Sequence, residues 1–338
     1  MNKTSIKYPV DAVIAVTYRC QARCRMCTIW QIKDHDDVEP EVYKRIPTSL
    51  NDVNISGGEP FLRKDLDEIV EVVHSRVPRA RMVVSTNAFL GESLIPRALE
   101  LRKINPRIGI GVSVDGVSEM HDFVRGIDGG FKKIMTVVKG LKAGGIDNLR
   151  IAYTLTTENA DHMIKVYDLA KELGVQFTMQ VSHDSEFFFG RNDSSIVKNR
   201  HPLFGSDKMR GDFERIINKE LSSFNLKRLG KAFLYYGSYK LAAEGKQLFT
   251  SRPGLDFFYL DPRGDVYPSV LHNYVMGNLE KDDFETVWTS ERADQVREDV
   301  SRDGMPYWLG CMLRQALLDH RFQIGAWALK HKFVKVRL

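Results

Sequence analysis

Residues 17–30 read Thr17-Tyr-Arg-Cys20-Gln-Ala-Arg-Cys24-Arg-Met-Cys27-Thr-Ile-Trp30 and hold three of the chain's four cysteines. Thiols gathered this closely are metal ligands or redox groups more often than packing residues. The spacing C-x-x-x-C-x-x-C supplies three thiolates, one fewer than the four that close a usual iron–sulfur or structural zinc site. An open coordination position follows, unless Cys311 or a histidine completes a zinc site.

The composition is that of an ordinary globular chain. It has 338 residues, of which 43% are hydrophobic and 28% charged, and a formal net charge of +5 with mixed signs along most of its length. We therefore expect no nucleic-acid partner. No apolar window approaches the about 18–20 residues of a membrane span, and the run at 12–16 is too short for a signal peptide. The clustered cysteines do not form a disulfide framework, so we expect a cytoplasmic protein.

Apolar, β-branched runs alternate with helical patterns along the first half of the chain. A spacing of roughly 25–35 residues is typical of repeated βαβ units and a parallel sheet. The predicted strands are 11–16, 51–56, 81–85, 107–114, 149–155 and 175–181, and the predicted helices are 39–50, 63–75, 92–103, 131–143 and 160–173. Each polar or glycine-rich motif follows a strand, where such folds place their chemistry. The pattern predicts a full or partial (β/α) barrel, or an open doubly wound sheet.

The alternation of predicted strands and helices stops after residue 182. Helices are predicted at 207–224 and 227–244, followed by a β-hairpin whose strands, 257–260 and 265–267, flank Asp261-Pro-Arg-Gly264. These elements indicate a small α+β appendage. The tail, 321–338, mixes apolar and basic residues, and it could lie on a membrane surface or pack as a terminal helix.

The segment Cys20-Gln-Ala-Arg-Cys24-Arg-Met-Cys27, directly after a first strand, resembles the signature of the radical S-adenosylmethionine (radical SAM) superfamily. The resemblance implies a [4Fe–4S] cluster held by Cys20, Cys24 and Cys27, with SAM chelating the fourth iron. It also implies an external electron donor of the flavodoxin or ferredoxin type. The reduced cluster would cleave SAM to a 5′-deoxyadenosyl radical, which takes a hydrogen atom from the substrate. An iron left open by three ligands agrees with this chemistry.

Further motifs fall at the family's positions. Gly57-Gly58-Glu59-Pro60 follows the second strand and resembles the motif that receives the SAM amino group, either on Glu59 or on neighbouring carbonyls. Ser85 and Asn87 end the third strand, where family members contact the ribose or methionyl part. Met26 sits where an apolar side chain packs on adenine.

The fourth strand ends in Ser113-Val-Asp115-Gly116, followed by His121-Asp122 and Arg125-Gly126. This run resembles the family's SPASM-containing branch, in which the serine and arginine commonly hold the SAM carboxylate, a contact that suits arginine. Thr154 closes the fifth strand in a similar way. We therefore expect Ser113, Asp115, Arg125 and Thr154 to contribute to cofactor binding.

The C-terminal part resembles a SPASM or twitch domain that has lost its cysteines. Ser251 and Ser269 stand where that branch normally has cysteines, and only Cys311 remains. One thiolate cannot hold an auxiliary cluster. The resemblance therefore implies the shape of the domain without its metal, and we predict a single cluster.

Two residues are candidates for catalysis. Cys311 could donate a hydrogen atom that quenches a substrate radical, as a few radical SAM epimerases are thought to do, although a lone cysteine is more often a small buried hydrophobe. His183 ends the sixth strand, just before the aromatic run Phe187–Phe189, and is a candidate acid, base or hydrogen-bonding group.

Together these observations predict a partial (β/α)6 barrel over residues 1–235, a degenerate SPASM-like domain over 236–320 and a basic tail over 321–338. We expect a single-cluster radical SAM enzyme that acts on a small molecule, such as a metabolite, sugar or lipid precursor. The short stretch before Cys20 leaves no room for a leader-peptide-binding or cobalamin domain, which favours that substrate class. The alternatives are modification of a peptide or protein, and a non-catalytic iron–sulfur or zinc module.

Overall fold

The computed structural model describes residues 7–33, 36–183, 206–304 and 306–338. Six parallel strands pair in chain order. They are β1 Asp11–Ala15, β2 Asp52–Ser56, β3 Arg81–Thr86, β4 Gly109–Ser113, β5 Asn148–Leu155 and β6 Gln176–Val181. The intervening helices are α1 Leu66–Arg76, α2 Leu94–Ile104, α3 Glu119–Arg125, α4 Gly130–Ala143 and α5 Met163–Glu172. The six predicted strands are confirmed, whereas α3 was not predicted. The run Phe187–Phe189 lies outside the described residues.

The appendage extends the same sheet. Its β7 is parallel to β1, and β8 is antiparallel to β7, as the predicted hairpin requires. The later elements are α6 Asp207–Leu221, α7 Leu226–Glu244, β7 Phe257–Leu260, β8 Asp265–Tyr267, β9 Gly277–Asn278, α8 Phe284–Trp288, α9 Glu291–Asp303, α10 Gly310–Asp319 and α11 Arg321–Phe333. The sheet order runs from β6 at one edge through β1 and β7 to β9 at the other, so the sheet is not closed. A partial barrel with an α+β appendage is therefore confirmed. The division at residue 235 falls inside α7 and stays a prediction.

The two faces of the barrel sheet differ in polarity. Side chains that point toward the helices are apolar and fully buried, as Ile55, Ile110 and Ile151 show. Each such side chain contributes about 1.5–3 kcal/mol of burial free energy. The opposite, inner face carries polar side chains on several strands, and β2 and β5 alternate strictly between buried and half-buried positions. The inner face is therefore a polar surface within reach of water.

The predicted helix at 39–50 is wrong. A short 3-10 helix, Pro40–Arg45, stands there instead, and it ends at Ile46 in an extended conformation. Pro47 explains this ending, because proline disfavours helical geometry in the residue before it. The segment nevertheless packs against α1.

The tail forms α11, which packs through one side only. Ile324 and Ala328 are buried against the protein. On the opposite side Phe322, Leu329 and Phe333 are 78%, 62% and 81% exposed. In the parts of the chain that the structure describes, no helix is long and apolar enough to cross a bilayer.

Candidate active site

The glycine turn after β2 packs directly on the cysteine loop that follows β1. The backbone N–H of Gly58 donates to the Thr17 carbonyl at 2.7 Å, and that of Glu59 donates to the Arg19 carbonyl at 2.8 Å. A Cβ atom added to Gly57 would lie 2.3 Å from the Thr17 oxygen, and one added to Gly58 would lie 2.3 Å from the Arg19 oxygen. Only glycine allows this approach, which fixes the first half of the loop.

The other half of the loop is held by the end of α3. The backbone N–H groups of Arg23 and Arg25 donate to the carbonyls of Arg125 and Val124 at 3.1 and 2.9 Å. Gly126 ends α3 with φ of +65°, and a Cβ there would lie 2.6 Å from the Arg23 oxygen. The cysteine loop is thus held by hydrogen bonds from both sides, at the carboxyl ends of the parallel strands.

The Glu59 carboxylate braces the glycine turn against the end of β3. It is fully buried and accepts hydrogen bonds from Thr86 Oγ1 at 2.8 Å, from the Asn87 N–H at 2.7 Å and from the Phe61 N–H at 3.1 Å. Burial raises the pKa of Glu59 to about 7, although these donors act in the opposite direction. These donors use three of the about four lone-pair positions of the carboxylate, so one position on Oε2 stays open for the SAM ammonium. Glu59 and the carbonyls of the turn both stay predicted contacts of the ammonium, and Pro60 is buried at the start of the next turn.

Arg125 connects the fourth-strand motif to the cysteine loop. Its Nε donates to Asp115 Oδ2 at 2.5 Å, and its Nη1 lies 3.5 Å from Cys24 Sγ. The other Asp115 oxygen accepts the backbone N–H of Thr154 at 2.7 Å. Ser113 is half-buried at the end of β4. The structure therefore brings the four residues predicted to bind cofactor on β4, α3 and β5 to one place.

The thiols fit an iron–sulfur cluster by their surroundings. Asn87 Nδ2 donates to Cys20 Sγ at 3.6 Å, and hydrogen bonds to sulfur are one means by which proteins tune such clusters. Burial, together with the neighbouring thiols, raises the pKa of Cys20 to about 11 and that of Cys27 to about 12. Burial also raises the pKa of Cys24. Thiolates here need a positive partner, which the irons of a cluster would provide on binding.

A single-ion zinc site is not supported. Within the described ranges, no group of three His, Cys, Asp or Glu side chains could hold a metal ion. Zinc requires its ligands at about 2.3 Å from one point, whereas the cysteines of a [4Fe–4S] cube each bind a separate iron. Cys311, the proposed fourth ligand, lies at the other end of the barrel. The pKa of its thiol is raised to about 12 by burial and further by Asp52 and Asp11, which start β2 and β1. Its role as a hydrogen-atom donor stays a prediction.

His183 ties the end of β6 to the segment before α10. Its Nδ1 lies 2.7 Å from the Val181 carbonyl oxygen, and its Nε2 accepts the backbone N–H of Trp308 at 3.0 Å. Burial lowers the pKa of His183 to about 4, so the ring is neutral. Both ring nitrogens are engaged within the protein, an arrangement that suits a structural link. A role in proton transfer stays a prediction.

The structure also places Ser85 and Met26, the other two residues predicted to contact SAM. Ser85 Oγ donates to Asn54 Oδ1 at 2.9 Å on the inner face, and Met26 is buried in the main core. Gln180, at the end of β6, was expected among the substrate contacts, whereas the inner-face residues Asn54 and Arg150 were not predicted. The alternation in Asn148-Leu-Arg-Ile-Ala-Tyr-Thr-Leu155 was the available signal, because strict alternation marks a strand with one polar face.

Buried serines stand where the SPASM resemblance places cysteines. Ser269 Oγ lies 2.6 Å from His272 Nδ1, and His272 Nε2 lies 3.6 Å from Asp303 Oδ2. Ser251 and Ser269 are both buried, and the Tyr307 hydroxyl donates to the Ser251 carbonyl at 3.1 Å. Ser269, His272 and Asp303 thus form a polar network, whereas Ser251 Oγ is buried and has no hydrogen-bond partner among the described residues. The prediction of a single cluster agrees with this arrangement but remains untested.

Comparison with known proteins identifies the class. Residues 14–170 match the family model of the radical SAM superfamily, and residues 254–311 match that of the SPASM iron–sulfur cluster-binding domain. The subtilosin biosynthesis protein AlbA of Bacillus subtilis is 26% identical over 95% of this chain and 71% of its own length. The mycofactocin maturase MftC of Mycolicibacterium smegmatis is 26% identical over 87% of this chain and 74% of its own.

Solved structures support the fold. SuiB of Streptococcus suis, bound to S-adenosylmethionine, aligns with a TM-score of 0.63 at 15% identity, covering 88% of this chain and 68% of its own. The structure of anSMEcpe with bound AdoMet and a Cp18Cys peptide aligns with a TM-score of 0.59 at 15% identity, covering 96% and 99%. The chain belongs to the radical SAM superfamily and is an enzyme of its SPASM-type branch. Its cofactors are a [4Fe–4S] cluster and SAM, which supply one-electron chemistry at the cysteine loop.

Proposed function

We propose that this radical SAM enzyme removes a hydrogen atom from a peptide substrate during maturation of that peptide. The proposal depends on one observation: several relatives that align over most of the chain are peptide-maturation proteins. AlbA, MftC and the sporulation killing factor maturation protein SkfB match 95%, 87% and 86% of it, and all three act in peptide modification. These relatives favour the peptide alternative over the small-molecule substrate that the sequence had suggested.

The inner face of the barrel supports this assignment. Its half-buried polar side chains extend from Ser56, next to the glycine turn, across to Thr178 and Gln180 on the edge strand β6. Peptides carry many amide groups, and a polar wall can satisfy them without a large desolvation cost. The residues of this chain would bind and orient the substrate there, beside the cysteine loop. An external flavodoxin- or ferredoxin-type protein would supply the electron.

Deuterium transfer tests the substrate class. Cells of the organism that encodes the chain are grown in deuterated medium, and their extract is divided into a peptide fraction and a metabolite fraction. The reconstituted, reduced enzyme is incubated with unlabelled SAM and each fraction, and 5′-deoxyadenosine is analysed by mass spectrometry. Abstraction from a C–D bond places deuterium in that product. We expect deuterium with the peptide fraction and its loss after protease treatment. Transfer from the metabolite fraction alone would overturn the peptide assignment.

We further propose that the exposed side of α11 lies on an anionic membrane surface. Phe322, Leu329 and Phe333 recur at helical spacing on its exposed side. Residues 321–338 contain five Lys or Arg and no Asp or Glu, so the rest of the chain has equal numbers of acidic and basic side chains. An exposed apolar stripe with basic flanks matches a helix that lies in the interface of an anionic bilayer.

A further inference from the structure

A group of cations lies near the N-terminal ends of β5 and β6, away from the cysteine loop, and one of them, Arg150, belongs to the inner face of the barrel. Arg150 of β5 extends across β4, where its Cγ and Cδ atoms lie 3.6 and 3.7 Å from the position of a Cβ on Gly111. Gly109 gives similar room to Asn148, because a Cβ there would lie 2.4 Å from Asn148 Nδ2. The two glycines of β4 thus let polar side chains of β5 lie flat on the inner face.

The Arg150 guanidinium is only partly satisfied. One of its nitrogens, Nη2, donates to Asn148 Oδ1 at 3.0 Å, and Gln176 Nε2 donates to the same oxygen at 3.2 Å. Its Nε is buried and has no hydrogen-bond acceptor among the residues that the structure describes. Buried donors are rarely left unpaired in native proteins, so this one calls for an acceptor from outside the chain.

The surroundings of Arg150 are rich in positive charge. Lys231 of α7 donates to the carbonyl of Phe177, the residue paired with Ile151 in β6, at 2.9 Å. Lys227 lies one helical turn earlier. Among the described residues, no carboxylate forms an ion pair with Arg150, Lys227 or Lys231. Cations gathered without counter-ions repel one another, and a bound anion would relieve this cost.

The acidic groups nearby are already engaged. Asp52 pairs with Arg81 on the neighbouring strands, and Glu220 accepts from Lys171 and Arg228. Burial, together with Arg81, lowers the pKa of Arg150 to about 10, and burial together with Lys227 lowers the pKa of Lys231 to about 7. Burial is the larger cause in both cases, and Asp52 and Glu220 act in the opposite direction without forming an ion pair with Arg150 or Lys231.

We propose that Arg150, supported by Lys231 and with Lys227 at the rim, binds a carboxylate of the substrate on the inner face of the barrel. The planar guanidinium offers Nε and one Nη hydrogen side by side, and this pair matches the two oxygens of a carboxylate. The inference rests on the proposed function, for which it defines a preferred substrate: a peptide whose acidic side chain or terminal carboxylate reaches Arg150 while the residue to be modified lies at the cysteine loop. Arg150 is thereby a specificity-determining residue.

Two matched peptides test the site without knowledge of the natural substrate. Ac-Gly-Glu-Gly-NH2 and its glutamine analogue differ by one charge, and calorimetry measures their binding to the reconstituted enzyme loaded with SAM. We expect the glutamate peptide to bind about tenfold or more tightly than the glutamine peptide. Arg150→Gln should abolish the preference and Lys231→Gln should reduce it, whereas Arg102→Gln, on the outer helix α2, should preserve it. Inorganic phosphate, added as a competitor, distinguishes a carboxylate site from a phosphate site.

Equal binding of the two peptides to the wild-type protein, a lack of binding by the glutamate peptide, or a preference retained in folded Arg150→Gln would each overturn the assignment. Competition by phosphate at concentrations below those of the glutamate peptide would also contradict a carboxylate site. The deuterium assay is independent of these outcomes, because it reports where the hydrogen comes from. A metabolite substrate would therefore overturn the peptide assignment while a carboxylate preference could still be observed.

Discussion

Arg125 donates through Nε to Asp115 at 2.5 Å, while its Nη1 lies 3.5 Å from the sulfur of Cys24. Asp115 is fully buried, so Arg125 is its charge partner as well as a neighbour of a predicted cluster ligand. The pair couples the fourth strand to the cysteine loop, and the end of α3 that carries Arg125 also binds the loop backbone. A change at Arg125 should therefore affect folding stability and the cluster together.

Arg125→Gln should reduce the free energy of unfolding by about 3–5 kcal/mol, because it leaves the Asp115 carboxylate buried without a counter-ion. Denaturant unfolding of the anaerobic apoprotein measures this. Arg25→Gln is a matched control, since Arg25 forms a more exposed pair with Glu158 at 2.7 Å. Arg25→Gln should lower the free energy of unfolding by only about 0–1 kcal/mol. Equal losses of unfolding free energy in the two variants would show that the buried Arg125–Asp115 pair stabilises the protein no more than the exposed pair does.

Gly57→Ala should destabilise the protein more than Gly129→Ala does. Both glycines have positive φ, +124° and +68°, but a Cβ on Gly57 would meet the Thr17 oxygen at 2.3 Å, whereas nothing lies within 4 Å of one on Gly129. Gly129→Ala measures only the cost of placing alanine at a positive φ, which is about 1 kcal/mol of unfolding free energy. We expect an additional loss of about 2 kcal/mol or more for Gly57→Ala, with lower iron content after reconstitution. Similar stabilities would argue against a close contact between the glycine turn and the cysteine loop.

His183 should make the protein sensitive to acid. Its folded-state pKa, about 4, lies below the ordinary value of 6.5, so the unfolded chain binds a proton first as the pH falls. Stability from neutral His183 is complete above about pH 6.5 and declines toward pH 4, by up to about 3 kcal/mol. His183→Gln should lower stability near neutral pH and flatten this decline, as measured by unfolding at several pH values. An unchanged pH slope in the variant would contradict a buried, neutral His183.

The membrane proposal predicts selective vesicle binding. The wild-type protein should sediment with phosphatidylcholine vesicles only when they contain phosphatidylglycerol, and added salt should weaken the association. Replacing Phe322, Leu329 and Phe333 by serine should reduce binding at least about tenfold. Leu255→Ser, at a partly exposed position outside the tail, should not. Self-association in ultracentrifugation without vesicle binding would identify a second copy as the occupant and overturn the proposal.

Local patterns predicted the six strands and the cysteine motif, because apolar runs and their terminal turns are encoded by neighbouring residues. The partial barrel followed from their order. Contacts between distant residues could not be predicted in this way. The bond from Ser269 to His272 is local, but its continuation to Asp303 depends on how α9 packs.

The roles of individual site residues also depended on tertiary geometry. Glu59 or the neighbouring carbonyls were expected at the SAM ammonium, and only the tertiary structure shows that the end of β3 also gives Glu59 two donors, Thr86 and Asn87. The alternation in β5 marks Arg150 as part of a polar face, but only the strand register places it opposite Gly111. The substrate class was beyond the sequence motifs, because those motifs are predicted to bind the cofactors and not the substrate.

The most direct test of the account is SAM cleavage by the anaerobically reconstituted and reduced protein, with iron measured in the same samples. We expect 5′-deoxyadenosine from the wild type, with about four irons per chain as one cube requires. Replacing Cys20, Cys24 and Cys27 together by alanine should remove both the iron and the product, whereas Cys311→Ser should retain the iron. A [4Fe–4S] spectrum without 5′-deoxyadenosine, or residual iron in the triple variant, would contradict a single-cluster radical SAM enzyme.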